Sequence, residues 1–440
     1  MSLKNDLLRV SGSNFVVMLS SILNGLVLPY VLSVEGFSDL KTYTLYASFI
    51  GFLHFGFVDG LNIKYGGCAY KDVDKIEFDG YHRFFILFQI IMVLAIILIG
   101  YLLNNTIILF VGLAILPINL QTFFLFFYQA IGEFKDYSRA TVIVPVINVL
   151  ITLTFVLVGI VDYRIYVLTI IFSYLVSIIL LERRYIKYTN IHFKFNLKFL
   201  KLLHGFKRYK VIFVSGFFIM LGNVLFTLFF DTGRWMSKFF SSYDGFAKYS
   251  LGLSLIGFAL VFIGAVNKTF YPYLFKNNSN ELILKYRKIL YIAGSLSLPA
   301  FFLIKLIIES FLPKYMESLS ITAILMTSIP GIMIIKSIYV NLYKVQKKEK
   351  KFLYDTLQYL IITILLNFIF FFYFRTLNSI AIASVIAIYI WTIFPKSIFK
   401  LKAKDILKES VASNIFLDIR GTTECRGSSN SRCKVYRQCV

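Results

Sequence analysis

This sequence predicts an all-α integral membrane protein, with about twelve transmembrane helices in two parallel six-helix bundles around a central cavity. Three observations predict it. Apolar runs long enough to cross a bilayer recur from end to end, basic residues gather on alternate connections, and a stretch early in the second half echoes one early in the first.

The composition sets the solvent. The chain is 58% hydrophobic and only 16% charged, with a mean hydropathy of +0.74, whereas a soluble globular domain is about 25% charged. Crossing roughly 30 Å of hydrocarbon takes a helix of about 20 apolar residues. Such runs fall near 12–33, 42–65, 84–103, 107–128, 141–161, 165–181, 211–232, 248–271, 288–308, 318–342, 353–374 and 378–395. They are continuous rather than alternating, which argues against a transmembrane barrel. The first has no small-x-small site after it and reads as an uncleaved anchor.

The net charge of +23 invites a nucleic-acid reading, but its distribution points elsewhere. If the N-terminus is cytoplasmic, 31 Lys and Arg fall on the cytoplasmic side, and seven fall outside: Lys41, Arg164, Arg234, Lys238, Lys248, Lys314 and Arg375. That is the positive-inside asymmetry. It accounts for the basic balance with no nucleic-acid partner and places both termini in the cytoplasm.

The longest loop, 182–210, is basic and follows the sixth run. The expected organisation is therefore an N-terminal bundle over 1–181, a basic linker over 182–210, a C-terminal bundle over 211–395 and a cytoplasmic, disordered tail over 396–440. Three of the four cysteines, Cys425, Cys433 and Cys439, lie in that tail at spacings that fit no zinc site. "YTLYASFIGF" at 43–52 and "YSLGLSLIGF" at 249–258 match at Tyr, Leu, Ser, Ile, Gly and Phe, each after an "EGF" or "DGF" turn. An offset of six spans gives the halves one orientation, related by an axis along the membrane normal, an arrangement found in secondary transporters.

No Walker loop, HExxH, CxxC or Gly-rich dinucleotide turn occurs. The chain reads as no enzyme, and no cofactor or metal is expected. The candidate chemistry is instead in polar residues within the spans, which are costly in hydrocarbon and usually face a bundle interior or a wet cavity. Span one carries Asn24, with Asn14, Ser20, Ser21 and then Pro29. Span two carries His54, Asp59, Asn62 and Lys64. Span seven carries Asn223 and Asp231, then Arg234, and span eight ends in Asn267 and Lys268. Each has an ordinary reading alongside: the asparagines as helix-to-helix hydrogen-bond partners, the lysines as snorkelling side chains, His54 as a satisfied buried histidine, and Asp231 as an i+3 partner of Arg234. Together they predict a hydrated cavity lined by spans one, two, seven and eight, with cations outnumbering acids.

The opening "GSNFVVMLSSILNGLVLPYVLS", then "EGFSDLKTYTLYAS", "FVDGLNIKYGG", "FFYQAIGEFKDYSRATVIVPVINVL" and "DTGRWMSKFFSSYDGFAKYSLGLS" form an ordered set over about residues 10–400. In that set the chain resembles the Wzx-type polysaccharide repeat-unit (O-antigen) flippases of the multidrug/oligosaccharidyl-lipid/polysaccharide exporter superfamily. The resemblance implies alternating access and export of an undecaprenyl-diphosphate-linked oligosaccharide, an O-antigen or capsule repeat unit of lipopolysaccharide or polysaccharide biosynthesis, across the bacterial inner membrane. It implies a cationic lumen, contact with membrane lipids, a coupling ion (H+ or Na+), and a polysaccharide polymerase and chain-length regulator as partners. The alternative is a cation-coupled drug or metabolite antiporter of the same superfamily, which an acidic, membrane-centred site would favour; Asp59 and Asp231 are the candidates. Other classes left open are a non-transporting partner in envelope assembly and a membrane enzyme without familiar motifs.

Overall fold

A computed structural model of the chain describes residues 3–68, 72–189, 206–257, 280–346 and 348–394. Among these the chain is helical, in the order α1 (Leu3–Val31), α2 (Val34–Ala47), a 3-10 turn (Ile50–His54), α3 (Phe57–Tyr65), α4 (Lys75–Leu102), α5 (Thr106–Ala130), α6 (Phe134–Leu157) and α7 (Tyr163–Thr189). The second half runs α8 (Phe206–Phe240), α9 (243–257), α10 (Asn280–Ser295), α11 (Ala300–Phe311), α12 (Ser318–Met326), α13 (Ile329–Ile334), a π-helical turn (Ile335–Tyr339), α14 (Val340–Val345), α15 (Glu349–Phe374) and α16 (Leu377–Ile393). Among the described residues eight helices are long and apolar enough to cross a membrane, or ten if each of two bent pairs is one span; α16 is a shorter apolar helix.

The helices form where the sequence leaves no competing use for the backbone. In hydrocarbon each unpaired amide costs several kcal/mol, so a continuous apolar run must satisfy its hydrogen bonds within itself. The starts are set by short polar side chains. Ser33 accepts from Gly36 N at 3.0 Å, Asp74 from Ile76 N at 2.9 Å and Asn105 from Ile108 N at 3.1 Å, capping α2, α4 and α5. At the basic linker, α7 continues to Thr189 and α8 begins at Phe206. "ERRYIK" and "FKRYK" are good helix formers once outside the bilayer.

Two spans are broken, and each break has an identifiable cause. Span two bends by 56° between the 3-10 turn and α3, where Phe55 and Gly56 both take positive φ, 50° and 82°. Span ten bends by 46° between α12 and α13, with Pro330 in the first turn of α13. Proline removes an amide donor and ends the preceding helix. Elsewhere prolines are carried within a helix: Pro29 stays inside α1, Pro117 inside α5 and Pro145 inside α6.

Three cores follow the two halves. One lies wholly in the second half, where Trp391 stacks on Tyr359 (4.7 Å between centroids, 13°) and meets Phe229 edge-on at 4.7 Å. A second fills the end of the first half that carries the basic residues, around the stacked pairs Phe57–Phe85 and Phe78–Phe127. The third joins α1, α2, α5 and α7 to Ala247, Leu251 and Tyr315 of the second half. Outside these cores, Leu94, Leu98, Leu303, Leu306 and Phe372 are exposed. Outward apolar rings of this kind are the surface that lipid tails cover.

Candidate functional site: a cavity between the halves

A cavity of about 300 Å³ opens between α1, α2, α6, α7 and α9. Its polar lining is Ser21 and Asn24 from α1, Lys41 and Thr44 from α2, Asn148 and Thr152 from α6, and Ser254 from α9. A short network holds the wall. The Asn24 amide donates to Asn148 Oδ1 at 2.6 Å, and Asn148 donates in turn to Thr169 Oγ1 at 3.3 Å. Across the cavity the Lys41 ammonium donates to Ser254 Oγ at 2.7 Å, and it also lies 5.0 Å from the Phe37 ring centroid. Among the described residues Lys41 is the one charged side chain in this lining, and no carboxylate accompanies it.

Two sets of contacts join the halves around this cavity. At the end of the molecule where α3 finishes and α8 begins, the helices touch backbone to backbone. A Cβ on Gly60 would lie 2.0 Å from Ile212 O, and one on Gly216 would lie 2.0 Å from Gly56 O. Small residues permit this approach, and in a membrane close backbone packing is a main source of helix association. Toward the other end of the spans the joint is polar. Arg234 of α8 donates from Nη2 to Lys41 O at 2.6 Å and to Thr44 Oγ1 at 2.7 Å. Lys314 donates to Leu32 O at 2.5 Å, Phe37 meets Tyr315 edge-on at 5.6 Å, and Trp235 stacks on Tyr46 at 5.7 Å.

The residues singled out from the sequence go to different places. Asn24 lines the cavity. Arg234 stands behind the α2 wall, gripping its backbone, and its Nε is buried without a hydrogen-bond partner. Asp231 lies one turn earlier on α8; among the described residues no ion pair within 4.0 Å joins it to Arg234. His54 and Asp59 are buried at the break in span two, away from the cavity: Gly56 N donates to His54 Nδ1 at 3.1 Å, and Nε2 is 3.8 Å from Asp59 Oδ2. Lys64 ends α3 and pairs with Glu77 at 2.6 Å and Tyr81 OH at 2.9 Å; Asn62 is half-buried beside it. Asn223 is exposed. Gly222 beside it packs on the Phe352 ring of α15, where a Cβ would lie 2.9 Å away, and the next residue on a helix points about 100° round. Asn267 and Lys268, with most of the linker and the whole tail, lie outside the described residues.

The cavity therefore differs from the one expected at spans one, two, seven and eight. Spans one, two and eight contribute, but α6 and α7 supply the remaining wall while α8 backs it. Lys41, Asn148 and Ser254 were not singled out. Lys41 counted as an outward flank by charge alone. A signal for it was present: it precedes the repeated "YTLYASFIGF" by two residues, and Ser254 is the serine of the second copy, matching Ser48 in the first. Among the described residues no three His, Cys, Asp or Glu side chains converge to hold a metal ion.

No protein-family model matches this chain, and no curated protein matches it. Solved structures do. An inward-closed lipid II flippase MurJ superposes with a TM-score of 0.66 at 15% identity, over 92% of this chain and 90% of that one. An inward-facing multidrug resistance MATE family transporter of the MOP superfamily gives 0.59 at 15% identity, over 89% and 96%. The MATE multidrug transporter DinF-BH gives 0.59 at 15%, over 91% and 98%. At this identity the likeness is one of fold: the chain has the multi-helix membrane fold that the lipid II flippase and the MATE transporters share.

Proposed function

We propose that the chain translocates a lipid-linked oligosaccharide, an undecaprenyl-diphosphate-borne repeat unit, across the bacterial inner membrane by alternating access. The observation that carries this reading is the polar part of the lining between the halves: beside apolar Leu28, Phe37, Leu40 and Ile170 stand hydroxyl and amide groups, one ammonium from Lys41 and a guanidinium behind the wall, with no carboxylate among the described residues of the lining. Sugars need a path of hydrogen-bonding groups, and a diphosphate needs cationic donors, while a polyprenyl tail can stay in lipid. Superposition on a lipid II flippase over nine-tenths of both chains supports it.

The antiporter alternative rests on the MATE superpositions. It is less well served by the cavity, because a cationic drug or a coupling cation there would face Lys41 instead of an acid. Asp59, one of its two candidate acids, is buried beside His54 away from the cavity.

The test is complementation of a strain lacking its own repeat-unit flippase, read as surface polysaccharide with protein abundance measured in parallel. The wild-type chain should restore polymer. Lys41→Met, which keeps most of the side-chain volume and loses the charge, should lower it at least tenfold at normal abundance, the loss of about 1.4 kcal/mol of substrate stabilisation. Normal polymer from Lys41→Met would take the cavity out of the transport path. No polymer from wild type, together with extrusion of a cationic dye, would favour the antiporter.

A further inference from the structure

A second, larger cavity, of about 660 Å³, lies between α1, α6 and α7 at the end of the first half that carries the basic residues. It shares no lining residue with the cavity between the halves. Its lining brings together Arg9 near the start of α1, Lys135 and Arg139 in the opening turns of α6, and Arg184 late in α7, against one acid among the described residues of the lining, Asp136. Asp136 is buried and serves as an anchor: it accepts a hydrogen bond from Arg184 Nη2, and Arg139 Nη1 stands 4.0 Å from the same oxygen. Ser138, which also lines the cavity, buries its hydroxyl without a hydrogen-bond partner. The remaining wall is apolar, including Val16, Ile143 and Leu181.

Solvated surface charge does not account for this arrangement. A positive-inside bias places cations near a membrane face, but it does not make three helices aim them at one concavity or fix one of them on a buried carboxylate. A cationic mouth above an apolar wall is the complement of an anionic head on a hydrocarbon stem. Basic pockets between transmembrane helices bind phosphate headgroups in this way, and the volume is within the range of about 300–1,000 Å³ typical of ligand sites.

We propose that this cleft binds a phosphate-headed lipid from the adjacent leaflet: Lys135, Arg139 and Arg9 meet the phosphate, and the apolar wall receives the start of the chain. The chemistry is shared by an anionic phospholipid and by a polyprenyl phosphate. The proposal is independent of what the central cavity transports.

The experiment is lipid binding to the purified full chain in neutral phosphatidylcholine nanodiscs, read by native mass spectrometry. The probes are phosphatidylglycerol, undecaprenyl phosphate and inorganic phosphate. At least one of the two lipids should bind the wild type and be retained over phosphatidylcholine. Lys135→Gln/Arg139→Gln, which removes two exposed charges, should weaken binding about thirtyfold, at roughly fivefold per charge near an anionic lipid. Lys135→Arg/Arg139→Lys should restore it, which a merely structural role would not demand. Equal retention of the two lipids makes the cleft a general anionic-lipid site, and a tenfold preference for undecaprenyl phosphate makes it a site for polyprenyl carriers. Unchanged affinity in the double Gln variant overturns the proposal. So does binding of inorganic phosphate as tight as that of either lipid, because the apolar wall would then contribute nothing.

Discussion

The Arg234 guanidinium on α8 donates to the backbone carbonyl of Lys41 on α2, so one cation of the second half holds the chain segment that carries the other cation into the cavity. The same nitrogen reaches Thr44 Oγ1. This geometry gives Arg234 a different part from that of a direct ligand oriented by Asp231: it ties the halves together while Lys41 faces the cavity.

Arg234→Gln loses two charge-assisted hydrogen bonds, each of about 1.5–3 kcal/mol, and should abolish polysaccharide restoration at normal abundance. Arg234→Lys keeps the charge without the planar fork and should retain partial function. Thr44→Val removes one acceptor and should fall between wild type and Arg234→Gln. Full activity in Arg234→Gln would show that this joint is dispensable.

The α3–α8 contact has no room for a side chain. Gly216→Ala and Gly60→Ala each place a methyl 2.0 Å from a backbone oxygen, an overpacking of about 1–3 kcal/mol or more. Both should lower the melting midpoint in detergent and reduce transport. Gly51→Ala, with no heavy atom within 4 Å of the added carbon, is the control and should behave as wild type. Equal melting of all three variants would mean that the helices separate freely here.

His54 and Asp59 lie side by side at the break in span two, 3.8 Å apart, and Asp59 also sits in the first turn of α3, where a negative charge favours the helix by about 0.3–1 kcal/mol. Asp59→Asn should therefore cost stability first, with transport declining only as protein is lost. Transport abolished at an unchanged melting midpoint would return Asp59 to the substrate or ion path that the sequence suggested for it.

Orientation is testable by labelling single cysteines in a chain whose own four are replaced by serine. Lys348→Cys, between α14 and α15, should react only with reagents that enter the cytoplasm. Tyr243→Cys, at the start of α9, should react with impermeant reagents from outside. The reverse pattern would invert the topology argued from charge.

The sequence by itself determined the helices, the apolar surface and the charge asymmetry, because each follows from local rules. A run of some twenty apolar residues in lipid must satisfy its own backbone, and short polar residues such as Ser33, Asp74 and Asn105 stop or start it. Span ten's bend was legible from Pro330, and span two's, at Phe55 and Gly56, was not, since a positive φ at a phenylalanine has no signature in composition. Only the tertiary structure decided which polar residues meet. Asn24 was legible as an in-span amide, but its partner Asn148 is 124 positions away, and Lys41 reaches Ser254 across 213. Helix rotation made the selection. A turn of about 100° per residue left Asn223 exposed once Gly222 was packed on Phe352, and it brought Lys41, one flanking charge among seven on its side, to face the cavity. Rotation is fixed by close contacts between helices far apart in sequence, such as Gly216 on Gly56, and no local pattern encodes them.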